Sequence, residues 1–321
     1  AGVGTSGGTL GGGVKENNFL GKGIRLDANL SLSENSVKGK FIYSKPNFAY
    51  TDNTLFTSVE SSTTDNLTDF GYKTSNVGFA LSTRFEQYED LFFRPEIAMD
   101  IEKLKTTSDA SASLRKQDGD YFDTYFNYTL DYDQRNQKFQ TSDGYRTVFY
   151  QAIPLASEQY EIINSFEISN YQKLIYDMIG KVSFYSKAVN SMSGKDVRIS
   201  KRAYIPSNKL RGFESGKVGP IDNNDFIGGN YVTTLNLSTT LPQILPSFEN
   251  TDFSFFIDAA NIWGVDHSST AKEHNTIRSS VGVGVDFLTP VGPLSFSLSQ
   301  PISKASSDKT ETFRFNLGTS F

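Results

Sequence analysis

Apolar and polar residues alternate along most of this 321-residue chain. In "GIRLDANLSLS", Ile24, Leu26, Ala28, Leu30 and Leu32 share one face, while Arg25, Asp27, Asn29, Ser31 and Ser33 share the other. In "YFDTYFNYTLDYD", Phe122, Thr124, Phe126, Tyr128, Leu130 and Tyr132 lie opposite Asp123, Tyr125, Asn127, Thr129, Asp131 and Asp133. "GPLSFSLSQ" sets Leu294, Phe296 and Leu298 against Ser295, Ser297 and Ser299. The final "TFRFNLGTSF" sets Phe313, Phe315, Leu317 and Phe321 against Arg314, Asn316, Gly318 and Ser320. A period of two is the signature of an extended chain with one apolar and one polar face. The pattern predicts strands near 1–4, 8–18, 23–33, 36–45, 53–64, 69–86, 91–105, 118–133, 144–155, 158–170, 176–189, 230–241, 251–263, 277–288, 293–302 and 311–321, an even number of about 16.

A β-sandwich also alternates, but it rarely needs strands longer than ~10 residues. Here the alternation is long and runs from end to end, and the polar face carries full charges such as Asp27, Asp131 and Arg314. A wet barrel interior tolerates such a face. The connections are of two kinds. Short breaks are "NNFLGKG", "PNFAYTDN", "EQYED" and "TPVGP", whereas 106–120 and about 190–229 are long and polar. Transmembrane barrels have this asymmetry between their two ends. The reading is therefore all-β: a transmembrane antiparallel β-barrel of about 16 strands.

Composition sharpens that picture. No window approaches the ~20 apolar residues of a spanning helix, so strands are the remaining way across a bilayer. Aromatic residues make up 13% of a chain that is polar on average, with 26 Phe and 16 Tyr against the single Trp263. There is no cysteine, and only two histidines, so neither a disulfide framework nor a Cys/His metal site is available. The net charge of −5, with no basic run, argues against a nucleic-acid partner. "AGVGTSGGTLGGG" at the start is no signal peptide, and the chain is expected to be part of a longer protein.

Few local motifs point to chemistry. Gly2, Gly4 and Gly7 match G-x-G-x-x-G formally, but no strand precedes them and no helix follows. Glycines there fit curvature or weak strand pairing better. Asn66, Asn127 and Asn236 stand in N-x-S/T sequons inside or at the ends of predicted strands, where a glycan has little room. His267 and His274 fall in a polar loop without a third protein ligand and read as solvated. No histidine lies on a predicted strand, so no Ser/His/Asp set can be assembled. No catalytic residue, cofactor or metal is expected, and the chain does not read as an enzyme.

Several separated stretches carry a resemblance. "LRGFESGKVGP" (210–220), "GGN" (228–230), "FFIDAANIWG" (255–264), "VGVGVDFLTPVGPLSFSLSQPI" (281–302) and "FRFNLGTSF" (313–321) resemble, in order and spacing, the BamA family, the core of the β-barrel assembly machinery of Gram-negative outer membranes. "GGGVKENNFLGKG" (11–23) resembles that family's second strand and first periplasmic turn, so the resemblance spans the whole barrel. It implies a 16-stranded outer-membrane barrel, residues 1–321, whose periplasmic POTRA domains are absent from this chain. It implies a long extracellular loop, about 190–229, folded into the lumen, where Arg211 of Arg211-Gly212-Phe213 meets an acid on the wall. Alternation aims Asp258 inward, opposite Phe253, Phe255 and Ile257, which makes Asp258 the candidate. Gly212 would allow the tight turn and Phe213 an apolar anchor. The family often carries an acid on the twelfth strand; the aligned position here is Ser238.

In family terms the first and last strands meet in a weak lateral seam, here Gly2 and Gly4 against Phe313, Phe315, Gly318 and Phe321, which opens to template an incoming strand. The implied partners are unfolded outer-membrane β-barrel clients, Bam lipoprotein subunits, and outer-membrane lipid and lipopolysaccharide. The C-terminal stretch ending in Phe321 also looks like the signal by which such a machine recognises clients. Alternatives are a related secretion barrel, TamA-like or of the two-partner type, a passive porin, and a soluble β-sandwich adhesin.

Overall fold

The computed structural model describes residues 2–5, 7–138, 140–242, 251–266, 270–289 and 292–317. Among them sixteen antiparallel strands close into a barrel in sequence order, the first pairing with the last. They are β1 (Gly2–Gly4), β2 (Gly7–Phe19), β3 (Ile24–Ser33), β4 (Ser36–Lys45), β5 (Thr54–Asn66), β6 (Tyr72–Tyr88), β7 (Leu91–Thr106) and β8 (Gly119–Asp133). The second half comprises β9 (Gly144–Ser157), β10 (Glu161–Lys173), β11 (Ile179–Ser191), β12 (Tyr231–Pro242), β13 (Thr251–Trp263), β14 (Arg278–Thr289), β15 (Gly292–Ser303) and β16 (Phe313–Leu317). Closure leaves no edge in most of the sheet, which is what a bilayer demands of strands. No helix among the described residues is long and apolar enough to cross a membrane.

The faces separate as the alternation predicts. On β13, Phe255 and Ile257 are exposed, while Phe256, Asp258, Ala260 and Ile262 are buried. On β7, Ile97, Met99 and Ile101 are exposed and Ala98, Glu102 and Leu104 are buried. An inverted distribution, with apolar side chains outside and carboxylates inside, marks a protein whose outer solvent is hydrocarbon.

Three predicted strands begin about three residues early, among them β6, which starts at Tyr72 rather than near 69. β10 starts at Glu161 rather than near 158, and β11 at Ile179 rather than near 176. In the last case the turn itself is apolar: Leu174, Ile175 and Tyr176 are exposed, with Tyr176 at φ 56°, so hydrophobicity there imitated a strand. The seventeenth and eighteenth extended pieces, Ile221–Asp222 and Asp225–Phe226, form a small hairpin inside the connection between β11 and β12.

Candidate functional site

That connection, residues 192–230, bonds to inner-face side chains from β7 round to β16, so it lies inside the barrel. Its first anchor is Arg198, fully buried. The Arg198 guanidinium hydrogen-bonds Asp123 of β8 and lies 3.3 Å from Glu102 of β7 and 3.6 Å from Glu161 of β10. Its backbone N–H donates to Glu161 Oε1 at 2.6 Å, and its guanidinium sits 4.2 Å from the centre of the Tyr121 ring. Ser200 Oγ donates to Glu102 at 2.7 Å, and the Ile199 N–H to Gln117 Oε1 at 2.7 Å. Burial opposes the charge of Arg198, yet Glu102, Glu161 and Asp123 together hold its pKa above the ordinary value. Beside this cluster Ile199 and Ile227 pack with Tyr72, Leu104, Ala110 and Leu114.

The second anchor is Arg211. Its Nε and Nη2 donate to Asp258 Oδ2 and Oδ1, both at 2.8 Å, and its backbone N–H donates to Oδ2 at 3.0 Å. The planar fork of a guanidinium matches a carboxylate in this way, and a lysine could not. The guanidinium also stacks 3.3 Å from the centre of the Phe256 ring. Asp258 is fully buried, and Asn236 Nδ2 satisfies it further at 2.8 Å while donating to the Lys209 carbonyl at 2.7 Å. Gly212 adopts φ 89°, and a Cβ there would lie 3.1 Å from Ser299 Cβ and 3.2 Å from Ser280 Cβ. Phe213, 1% exposed, packs with Ala203, Ile205, Leu210, Val218, Val232, Ala260 and Ile262. The structure thus brings Arg211, Gly212, Phe213 and Asp258 into one constellation on the wall of β12 to β15.

Ser238, the position aligned with the family's twelfth-strand acid, pairs with Phe256 in the ladder. The twelfth-strand bond to Asp258 comes instead from Asn236, two residues earlier. Sequence reasoning missed Asn236, the Arg198 cluster, the ion pair between Lys209 and Glu167 at 2.6 Å, and Arg278, fully buried against Asp308 at 2.9 Å. The readable signal was a charge on the polar face near the loop end of a strand, as at Glu102 and Glu161. His274 offers its backbone carbonyl to Arg278 at 3.3 Å, and His267 lies outside the described residues.

The seam is short. β1 and β16 pair at only two described positions, Val3 with Leu317 and Gly4 with Asn316, supplemented by Thr5 N–H donating to the Phe315 carbonyl at 3.1 Å. β10 and β11, by contrast, pair without a break from Glu161 opposite Ser191 to Lys173 opposite Ile179. At Gly2 a Cβ would come 3.1 Å from the Leu317 carbonyl, so a side chain there would crowd the seam. Phe313 stacks on Phe296 and on Phe315, each at 6.2 Å between ring centres. Gly318 and Phe321 lie outside the described residues. Between the seam and the lumenal segment is a cavity of about 970 Å³, lined by Thr5, Glu34, Asn66, Tyr204, Glu214 and Arg314 among others.

Comparison with known proteins fits this geometry. The model of the Omp85 superfamily domain matches residues 18–321. Outer membrane protein assembly factor BamA of Neorickettsia risticii (strain Illinois) is 24% identical over 78% of this chain and 34% of its own length. The chain thus spans about a third of that relative. The crystal structure of BamA from Haemophilus ducreyi lacking POTRA domains 1–3 superposes with a TM-score of 0.87 at 22% identity, covering 100% of this chain and 69% of the other. CdiB from Acinetobacter baumannii follows at TM-score 0.57 and 13% identity, covering 98% of this chain and 58% of the other. At these identities the two structures speak to fold alone.

Proposed function

The chain belongs to the Omp85 superfamily, an outer-membrane β-barrel of the kind found in BamA proteins, and we propose that it folds and inserts β-barrel clients through the seam between β1 and β16. The observation that carries this reading is that, among the described residues, β1 pairs with β16 at only two positions, whereas a ladder such as β10 with β11 runs unbroken from Glu161 to Lys173. Such work makes and breaks no covalent bond. It needs an unpaired strand edge to template a client and a low barrier for entry into lipid. Parting β1 from β16 costs a few backbone hydrogen bonds and exposes an edge inside the bilayer, where an unmet N–H or C=O is expensive. A client strand that pairs with the edge removes that cost. In this reading the partners are unfolded β-barrel clients, Bam lipoprotein subunits reached through upstream POTRA domains, and the surrounding lipid and lipopolysaccharide. Arg211-Gly212-Phe213 docked on Asp258 would keep the lumen obstructed while the seam works.

The test uses Gly4→Cys with Asn316→Cys, two residues that are ladder partners. In the protein with its native upstream region, oxidation of this pair should stop insertion of a model client, and reduction should restore it. Equal insertion yields in both states, with the crosslink verified, would remove lateral opening from the account.

The second reading is a secretion barrel, supported by the fold likeness to CdiB. Secretion through the lumen requires the 192–230 segment to leave its anchors. A disulfide that pins that segment to β13 should abolish a secretion activity and spare an insertion activity, which separates the two.

A further inference from the structure

Arg314 sits on β16, two residues before Asn316 meets Gly4 across the seam. Its Nε donates to Glu311 Oε2 at 2.9 Å, its Nη1 to the Ser207 carbonyl and its Nη2 to the Phe213 carbonyl. The two carbonyls belong to the lumenal segment and bracket Arg211 and Gly212. The backbone on either side joins in: Glu311 N–H donates to the Gly212 carbonyl at 3.1 Å, Glu214 N–H to Lys309 at 3.1 Å, and Lys309 N–H to Lys217 at 3.0 Å. The last strand is therefore bonded to the lumenal segment through the Arg314 side chain, and the loop that leads into it, residues 309–311, through its main chain. β1 is bonded otherwise. Among the described residues, the hydrogen bonds of 2–5 run to β2 and β16, and none joins them to 192–230.

We infer that Arg314 is a positioning residue for the proposed seam: it clamps β16 to the docked lumenal segment, so that the segment's docking sets how firmly the seam closes. This inference rests on the lateral-opening reading. The chemistry requires arginine. A planar guanidinium, with five donors in a fixed fork, reaches the two carbonyls and the carboxylate from three separate nitrogens, a spread that the single ammonium of lysine lacks. The acceptors are main-chain carbonyls, so the clamp responds to the path of the segment rather than to one of its side chains. When the seam parts, β16 stays with the segment and β1 leaves with β2.

The experiment uses the protein in its native membrane and measures seam crosslinking between Gly4→Cys and Asn316→Cys under limiting oxidant. The same measurement on Gly39→Cys with Ser61→Cys, ladder partners between β4 and β5, is the control. Arg314→Met removes three charge-assisted hydrogen bonds, each worth about tenfold, and should lower the seam crosslinking rate by about tenfold or more, with the control pair unchanged. Arg314→Lys should fall between. An unchanged seam rate, or an equal fall at both pairs, overturns the clamp. Should Arg314→Met fail to assemble, amide exchange in the unsubstituted protein decides: Glu311 and Glu214 should exchange more slowly than Thr5, and equal rates overturn the clamp. Client insertion measured alongside separates this claim from the one it rests on. If the seam rate falls and oxidative locking has no effect on insertion, the clamp stands and the insertion reading fails; if locking blocks insertion and the seam rate ignores Arg314, the reverse holds.

Discussion

Strands β1 to β5 and strands β7 to β15 are made by the same alternation, yet only the second group packs against anything inside. Among the described residues, no buried side chain occurs before Tyr72. Lys15 on β2 and Arg25 on β3 are exposed, and Lys38 and Lys40 of β4 pair with Glu60 of β5 in partly exposed contacts at 2.8 and 3.3 Å. On the other wall Glu102, Asp123, Glu161 and Asp258 are buried beneath the lumenal segment. A barrel half without packing inside is held by its ladders and a few partly exposed ion pairs. The half that carries the segment is cross-braced by buried ion pairs and two apolar clusters. The seam falls where the braced half ends at β16 and the unbraced half begins at β1, so the proposed opening would follow that boundary without dismantling a core.

The largest test of this contrast is Arg198→Met, which takes the shared cation from buried Glu102, Asp123 and Glu161 and leaves Asp123 only Lys201, 3.6 Å away. It should destabilise the docked segment by about 3–5 kcal/mol, whereas Glu60→Gln on the unbraced wall should cost under about 1 kcal/mol. Urea titration followed by Trp263, the single tryptophan and a neighbour of Tyr231 at 5.7 Å, reads both. Similar effects would erase the distinction between the walls.

Next is Arg211→Glu, which places a second carboxylate against buried Asp258 and should undock the segment's tip. Asp258→Arg should restore it only in part, because the Arg211 N–H and Asn236 Nδ2 also lose their acceptor. Proteolysis of 205–219 from outside the cell measures docking, and two harmless single changes would show that the pair braces nothing.

Gly212→Ala should be milder, about 1–2 kcal/mol for a non-glycine residue at left-handed φ, with extra crowding against Ser280 and Ser299. Its signature is faster proteolysis of the tip with the Arg198 end unaffected.

The smallest effect concerns the hairpin around Asp225. Burial, then the charges of Asp109 and Asp222, raise the Asp225 pKa above its ordinary value. A folded-state pKa above the unfolded one contributes stability below the unfolded pKa that is lost as pH rises through the folded pKa. Hairpin amides should therefore be better protected in mild acid than at neutral pH, and Asp225→Asn should flatten that dependence. A pH dependence that survives the substitution would place its origin elsewhere.

Strand number, order and facing were legible in the chain because a barrel strand writes its environment into every second residue. Ile257 faces out and Asp258 faces in for the same local reason. Ends were less legible where turns carry apolar side chains, as at Leu174 to Tyr176. Arg211-Gly212-Phe213 and Asp258 were reached by adding a family resemblance to that alternation, since 47 positions separate the arginine from its acid. Nothing local to Arg198 names Asp123 or Glu161, and nothing local to Arg314 names the carbonyls of Ser207 and Phe213. Those bonds exist because one long connection, polar enough to read as a solvated loop, turns inward and meets whatever each strand presents. The sequence by itself determined a wall with a wet inner face and an oily outer one. Which half of that wall is braced, and hence where it is weakest, was decided only by the path of residues 192–230 through the lumen, a long-range packing choice that no two-residue period can encode.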